Sequence, residues 1–403
     1  MRLRHVAIFT LPVNAHVYPL LGVCRELVAR GFRVTYVSTE RYSDRIRECG
    51  GEPIIFEHKD PAAESLFERE WKEVAKQPTN DPSWWSMYAS TLYPSILSIT
   101  VSVLPQVESF YLSNVPDLIL YDRSSHAGRI LSRRLGVPCA QVVASFAAHN
   151  RCLYRENGIG TNPGPMLQFS ARLDEFLSRY GFDEKNNLWH AAQLNLHLIP
   201  KAFQYHADSF DKRFAFVGAC LNRPFTRTWM DHSRGRPIVL VSHLSDPLSG
   251  TDTNHFKRFI QALSNVDCHV VLSIGQHIGA EELQMIPTNF EINRDASHLE
   301  ILPHCSLFVG QGGTGSTLEA LYHGVPVILS PVTPFHEEVT YRAIELGVGI
   351  NLPKTSSLSA IRTTVEAALH SDDLLARVED LQCLFKQSGG EPMVADEIER
   401  FIA

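Results

Sequence analysis

The sequence predicts an α/β protein built from two parallel-sheet domains. Three observations predict it. The chain opens with a strand–helix–strand pattern over Val6 to Ser38. An α/β pattern restarts at Ile238, after a stretch carrying Pro224, Gly235 and Pro237. Leu307 to Leu329 then reads as strand, glycine-rich turn, helix and strand, the unit from which parallel sheets are made. The length of 403 residues suits two domains of ordinary size.

The elements follow in order. Val6 to Thr10 is an apolar run and a buried strand, Pro12 to Ala15 a turn, and Val17 to Arg30 a helix by apolar spacing, stopped by Gly31. Arg33 to Ser38 alternates as the next strand, and Pro53 to Glu57 is another. Pro61 to Trp85 is irregular. Met87 to Leu112 predicts one long helix or two, broken near Pro94 and Pro105. Leu118 to Asp122 is a strand, Ser125 to Leu135 a helix and Cys139 to Ala144 a strand. Residues 146–195 are aromatic-rich and helical in part, and Asn195 to Pro200 and Phe214 to Gly218 close the first half. This gives a first domain over 1–217, a linker over 218–236, a second domain over 237–385 and a terminal helix over 386–403. In the second domain Ile238 to Ser242, His269 to Ile274 and Glu291 to Asn293 are strands, and Thr253 to Leu263 is a helix. Ser316 to His323, Thr340 to Leu346, Ser357 to His370, Leu374 to Gly389 and Pro392 to Ile402 are helices.

Composition narrows the function. Hydrophobic content of 44% is that of a soluble globular chain. A net charge of -7 with no basic block argues against nucleic acid or anionic membrane as main partner. The eight cysteines are scattered without a C-x-x-C pair, which predicts reduced thiols, a cytoplasmic protein and no zinc cage. No apolar run reads as long enough to span a bilayer, and the short run after Met1 reads as a first strand rather than a signal peptide. The sequence leaves a homodimer open.

Two sets of residues carry the chemistry. Gly312 and Gly313 allow close backbone approach, and the free N–H groups of the helix that follows favour an anion. Thr314 and Ser316 add hydroxyls. The local physics predicts a phosphate or carboxylate site, although a glycine turn made only for tight packing has the same look. The other set lies at strand ends of the first domain, where such sheets place ligands. His16 follows the first strand and Asp122 ends another. A carboxylate that orients a histidine makes it a better base. The plainer alternatives are a packed helix-start histidine and an N-cap aspartate.

The run Gly312-Gly313, Ser316, Glu319-Ala320-Leu321, Gly324-Val325-Pro326 resembles the C-terminal signature of family-1 glycosyltransferases, especially bacterial enzymes that modify macrolides and other natural products. The resemblance covers nearly the whole chain. It implies the GT-B architecture, two Rossmann-like domains facing across a cleft, the first holding an acceptor and the second a nucleotide sugar. It implies that His16, in His16-Val-Tyr-Pro19, is the general base, and that Asp122, after Pro116-Asp-Leu-Ile-Leu-Tyr, is its partner. It implies inverting transfer from a UDP- or dTDP-sugar to a hydroxyl of a hydrophobic small molecule, with no tightly bound cofactor and no metal.

The donor side departs from that pattern. The family's Ser-Leu-Gly-Ser loop is Ser242-His243-Leu244-Ser245, and its Trp-Val-Pro-Gln run is Asp295-Ala296-Ser297-His298. Its phosphate histidine is Gln311, its sugar-holding Asp-Gln pair falls on Phe335-His336, and a later Asn falls on Val339. Ser245, His298, Gln311, Gly312, Gly313, Thr314, Ser316 and His336 are therefore the expected donor contacts. His243, His298 and His336, with Asp295 or Glu337, lack a local metal-ligand spacing and read as independent histidines. Three functions remain open: glycosyl transfer with an altered donor site, acid–base chemistry by His16 and Asp122 without a sugar donor, and a silent binding protein. Trp71, Trp84, Trp85, Tyr88, Phe146, Phe169 and Trp189 suggest a large apolar acceptor, with at least half of them core.

Overall fold

The computed structural model describes residues 4–57, 93–148, 163–185, 187, 190–222, 229–242, 253–275, 278–283, 285–294 and 297–403. By their contacts they form two compact units. Described residues up to 222, together with 388–403, make the first, and residues from 229 to 387 make the second. The stretch expected as a linker is thus shared: 218–222 belongs to one unit and 229–236 to the other.

The first unit is a seven-stranded parallel sheet. Its strands are β1 (His5–Phe9), β2 (Arg33–Ser38), β3 (Glu52–Ile55), β4 (Leu118–Asp122), β5 (Cys139–Val143), β6 (Asn195–His197) and β7 (Phe214–Phe216), in the spatial order β3-β2-β1-β4-β5-β6-β7. Helices α1 (Asn14–Ala29), α2 (Ser43–Glu48), α3 (Tyr93–Ser113), α4 (His126–Leu135) and α5 (Pro163–Ser178) accompany it. β1 and β4 are buried along their whole length, which is why they read as continuous apolar runs. Phe9 pairs with both Val37 and Tyr121, so Asp122 emerges at the carboxyl edge just past the end of β1.

α3 runs through Pro105 as one helix; the portion expected before Tyr93 lies outside the described residues. By length and composition its segment Ile96–Ser113 is apolar enough to cross a membrane, contrary to the sequence expectation. Ile96, Val103, Leu104, Val107 and Tyr111 form one buried face, and α3 packs on α4. That is the pattern of a helix facing a protein core.

The second unit has six parallel strands: β8 (Ile238–Ser242), β9 (His269–Ser273), β10 (Phe290–Asn293), β11 (Leu307–Gly310), β12 (Val327–Leu329) and β13 (Gly349–Asn351), ordered β10-β9-β8-β11-β12-β13. Its helices are α6 (Thr253–Leu263), α7 (His298–Ile301), α8 (Thr314–Tyr322), α9 (Pro334–Glu345), α10 (Leu358–Leu369) and α11 (Asp372–Lys386). α9 begins six residues before the sequence expectation. The cause is local: Thr333 Oγ1 accepts the His336 N–H at 3.2 Å and Pro334 occupies the first turn, where its missing N–H costs nothing. The short α7 is set by a complete capping box from Ser297 and Glu300.

The last helix, α12 (Gly390–Phe401), returns to the first unit. Val394, Ala395 and Ile398 join the core beneath α1, and Arg30 clasps Asp396 at 2.6 Å. Glu391 is buried there and accepts the Asn222 N–H at 2.6 Å. Gly22 leaves room for this contact: a Cβ on it would lie 2.5 Å from Glu391 Oε1 and 3.1 Å from the Asn222 carbonyl oxygen.

Candidate active site

In the first unit, the carboxyl edge of the sheet brings His16 and Asp122 together. His16 is the third residue of α1, and its Nδ1 lies 2.6 Å from Asp122 Oδ2. The Asp122 side chain is 6% exposed and that of His16 is 29% exposed. The carboxylate is thus shielded, while the imidazole still reaches solvent. The other oxygen, Oδ1, accepts the Ser124 backbone N–H at 2.7 Å. Both carboxylate oxygens are engaged, so the group is fixed as well as charged. With Nδ1 on Asp122, a proton-transfer role would fall to Nε2. Asp122 does not cap α4, whose N-cap is Ser125 without a side-chain cap bond.

Beyond Asp122 lies a second histidine, His126, fully enclosed, with its pKa pushed down to about 3 by burial and by the charge of Arg129. It stays neutral at working pH and adds no positive charge beside Asp122.

In the second unit the predicted glycine turn leads from β11 into α8. The helix begins at Thr314, two residues before the sequence expectation, with Gly313 as an N-cap that offers no side chain. The amides of Thr314, Gly315 and Ser316 precede the first intrahelical bond, from Thr317 N to Gly313 O. Among the described residues, a Cβ on Gly315 would meet no atom within 4 Å, and one on Gly313 only Ser316 Oγ at 3.4 Å. Gly312 has φ +84°, and a Cβ there would lie 2.7 Å from the His336 carbonyl oxygen. Only glycine fits that close approach of the turn to α9.

The remaining candidates divide. Gln311 is buried beside the turn, Thr314 and Ser316 are half-buried at the helix start, and Ser316 Oγ donates back to Gly313 O at 3.3 Å. His336 lies on the first turn of α9, and its Nδ1 is enclosed with no hydrogen-bond partner among the described residues. Burial, aided by the charge of Lys354, pushes its pKa down to about 4, so it is a neutral imidazole near pH 7. His298 starts α7. Its Nε2 is 3.3 Å from Ser273 Oγ and its Nδ1 is 3.9 Å from the buried Glu319 carboxylate. Sequence reasoning matched Glu319 to a motif but did not place it in the site. Ser273 gave no signal beyond lying in the strand His269 to Ile274. Ser245 and His243 lie outside the described residues. So do Asp295, Trp71, Trp84, Trp85, Tyr88 and Trp189, and the side chain of Phe169. Phe146 is core, stacked on Phe203 with ring centroids 5.8 Å apart. Among the described residues no group of three or more His, Cys, Asp or Glu side chains could hold a metal ion.

Two parallel-sheet domains, one with a His–Asp pair and the other with a glycine turn leading into a helix that no side chain caps, are the parts expected of a glycosyltransferase of the GT-B fold. Comparison with known proteins agrees. Residues 257–382 match the family model of the erythromycin biosynthesis protein CIII-like C-terminal domain. The NDP-glycosyltransferase YjiC of Bacillus licheniformis is 32% identical over 415 residues, covering 99% of this chain and 98% of the relative. The oleandomycin glycosyltransferase of Streptomyces antibioticus is 30% identical, covering 98% and 90%. The crystal structure of CalG4, the calicheamicin glycosyltransferase, superposes with a TM-score of 0.82 at 28% identity, covering 100% and 99% of the two chains. The chain belongs to the family-1 natural-product glycosyltransferases. The alternative of acid–base chemistry without a sugar donor finds no support among these relatives.

Proposed function

We propose that the enzyme transfers a sugar from a UDP- or dTDP-activated donor to a hydroxyl of a hydrophobic polyketide- or macrolide-like acceptor, with inversion at the anomeric carbon. The observation that carries the catalytic half is the 2.6 Å contact between His16 Nδ1 and Asp122 Oδ2. His16 Nε2 takes the proton from the acceptor hydroxyl as its oxygen attacks the anomeric carbon. Asp122 stabilises the imidazolium that forms. The bond from that carbon to the diphosphate oxygen breaks, and the nucleoside diphosphate leaves with the electron pair.

The donor half rests on the second unit. The start of α8, which no side chain caps, and its helix dipole suit the diphosphate, with Gly312, Gly313, Thr314 and Ser316 closest to it. Gln311, His298 and His336 replace the family's usual side chains as neighbours of the donor, and Ser245 is assigned a phosphate contact on sequence alone. The names of two relatives support the substrate classes: one is an NDP-glycosyltransferase and another an oleandomycin glycosyltransferase. We place the enzyme in the cytoplasm, which suits the free thiols of every described cysteine.

Calorimetric titration with UDP, dTDP and their sugars, with and without oleandomycin, tests the reading. Saturable binding in the micromolar to low-millimolar range is expected. A folded protein that binds no nucleotide would overturn it.

A further inference from the structure

His16 has to hold its imidazole to a 2.6 Å contact, and the Val13 carbonyl, which accepts the His16 and Val17 N–H groups at 3.0 Å, anchors the start of the helix turn that carries it. Val13, at the N-cap of α1, gives no side-chain hydrogen bond. Pro19 lies inside the helix, so the Ala15 carbonyl lacks the N–H that would normally reach it from four residues on. Side chains from outside the helix add to these backbone bonds. Two buried tyrosines reach it from β2 and the turn that follows. Tyr42, 2% exposed, donates its Oη–H to Asn14 Oδ1 at 2.9 Å, and its ring meets Tyr18 edge-on with centroids 6.3 Å apart. Tyr36, fully buried, directs its Oη–H to the Val17 carbonyl at 3.4 Å and receives the Thr10 hydroxyl at 3.3 Å. The two contacts fall two residues before His16 and one after it. Tyr42–Asn14 has the better geometry, and Tyr36 is a longer-range support.

We propose that Tyr42, through Asn14 and assisted by Tyr36, is a positioning residue for His16. It touches neither substrate nor donor. Its hydroxyl fixes the first turn of α1, and that turn sets the angle at which His16 meets Asp122. The inference rests on His16 being the base.

Tyr42→Phe removes one oxygen and keeps the ring and its contact with Tyr18. With UDP-glucose or a dTDP-hexose as donor and oleandomycin as acceptor, kcat should fall about tenfold while the donor KM is unchanged, since small errors of placement are costly at a reacting centre. Asn14→Ala cuts the same bond from its half-buried end, and the double variant should be no worse than either single one. In a His16→Ala background, Tyr42→Phe should change nothing, because a positioning group has nothing left to position. A second readout needs no substrate: the downfield proton of the Nδ1–H···Oδ2 bond should be sharp in the parent protein and broadened in both single variants. Unchanged kcat and an unchanged proton signal in Tyr42→Phe would overturn the inference. So would an equal loss of residual activity in the His16→Ala background. If His16→Ala itself keeps full kcat, the base assignment falls and this inference with it. If His16→Ala is inactive and Tyr42→Phe is like the parent, only this inference falls.

Discussion

Asp122→Asn is the sharpest test of the catalytic pair, because the two carboxylate oxygens face different donors. Oδ2 faces His16 Nδ1 and Oδ1 faces the Ser124 N–H. An amide has one oxygen, so asparagine must turn its NH2 toward one of them. If the NH2 faces Ser124, two N–H groups oppose each other at a buried site, at a cost of about 1–3 kcal/mol in stability. If it faces His16, Nδ1 must accept, Nε2 carries the proton, and the base is lost. Even with the productive orientation, the charge is gone. Opposite charges about 4 Å apart attract by about 4 kcal/mol at an effective dielectric near 20. His16 is 29% exposed, and solvent screening reduces this to about 2 kcal/mol. A barrier higher by that amount slows kcat about 30-fold, and the tautomer penalty extends the loss toward about 1,000-fold. The assay is initial rate at saturating donor, with thermal melting in parallel. His16→Ala should lose more than Asp122→Asn. An Asp122→Asn enzyme within threefold of the parent kcat would refute the argument that the carboxylate matters to His16.

The donor turn and the buried histidines give further tests. Gly312→Ala puts a Cβ into left-handed backbone and 2.7 Å from the His336 oxygen, so it should destabilise the protein by about 1–3 kcal/mol and weaken UDP binding in calorimetry. An alanine variant with parental melting temperature and UDP affinity would show that the turn has room to spare. Burial pushes the pKa of His336 and His190 down to about 4, and that of His126 and His197 to about 3. Because their folded pKa values lie below the unfolded value of about 6.5, the unfolded chain binds the extra protons. Stability from these groups is complete above about pH 6.5 and is lost as pH falls toward 4, at about 1.4 kcal/mol per pH unit for each proton taken up. Melting temperature measured from pH 8 to pH 4.5 should drop below pH 6.5. A flat profile would mean that these histidines titrate alike in both states.

The fold was legible because parallel strands are apolar throughout: β1, β4 and β8 are buried at every position and stand out as runs. Asp122 was legible for a related reason, since it interrupts such a run at a strand end where a carboxylate has no packing role. The first turn of α9 was missed because its Phe-His-Glu-Glu sequence has no apolar spacing; the Thr333–Pro334 cap alone defines it. Glu319 and Ser273 were not legible as neighbours of His298, because their approach depends on α7 and α8 packing on one sheet edge. The Tyr42–Asn14 bond joins residues 28 positions apart, on elements brought together only by the fold.

Apart from Leu244, which stands where the family's first loop has a glycine, the departures at the donor side fall on side chains, and the glycine turn before α8 keeps its backbone features. Gln311, His298, Phe335 and His336 all differ from the family pattern at positions where a side chain would touch the donor. The uncapped start of α8, the left-handed Gly312 and the open space above Gly313 and Gly315 persist. Amide N–H groups and a helix dipole bind a diphosphate whatever base or sugar is attached to it. Side chains supply the choice among bases and sugars. A neutral His336 near pH 7 offers no charge to either. On the function proposed above, substitutions of this kind would leave the leaving group held and move the selectivity. The donor is therefore to be sought by varying base and sugar on a diphosphate, with UDP and dTDP as the common ground, rather than by abandoning nucleotide sugars.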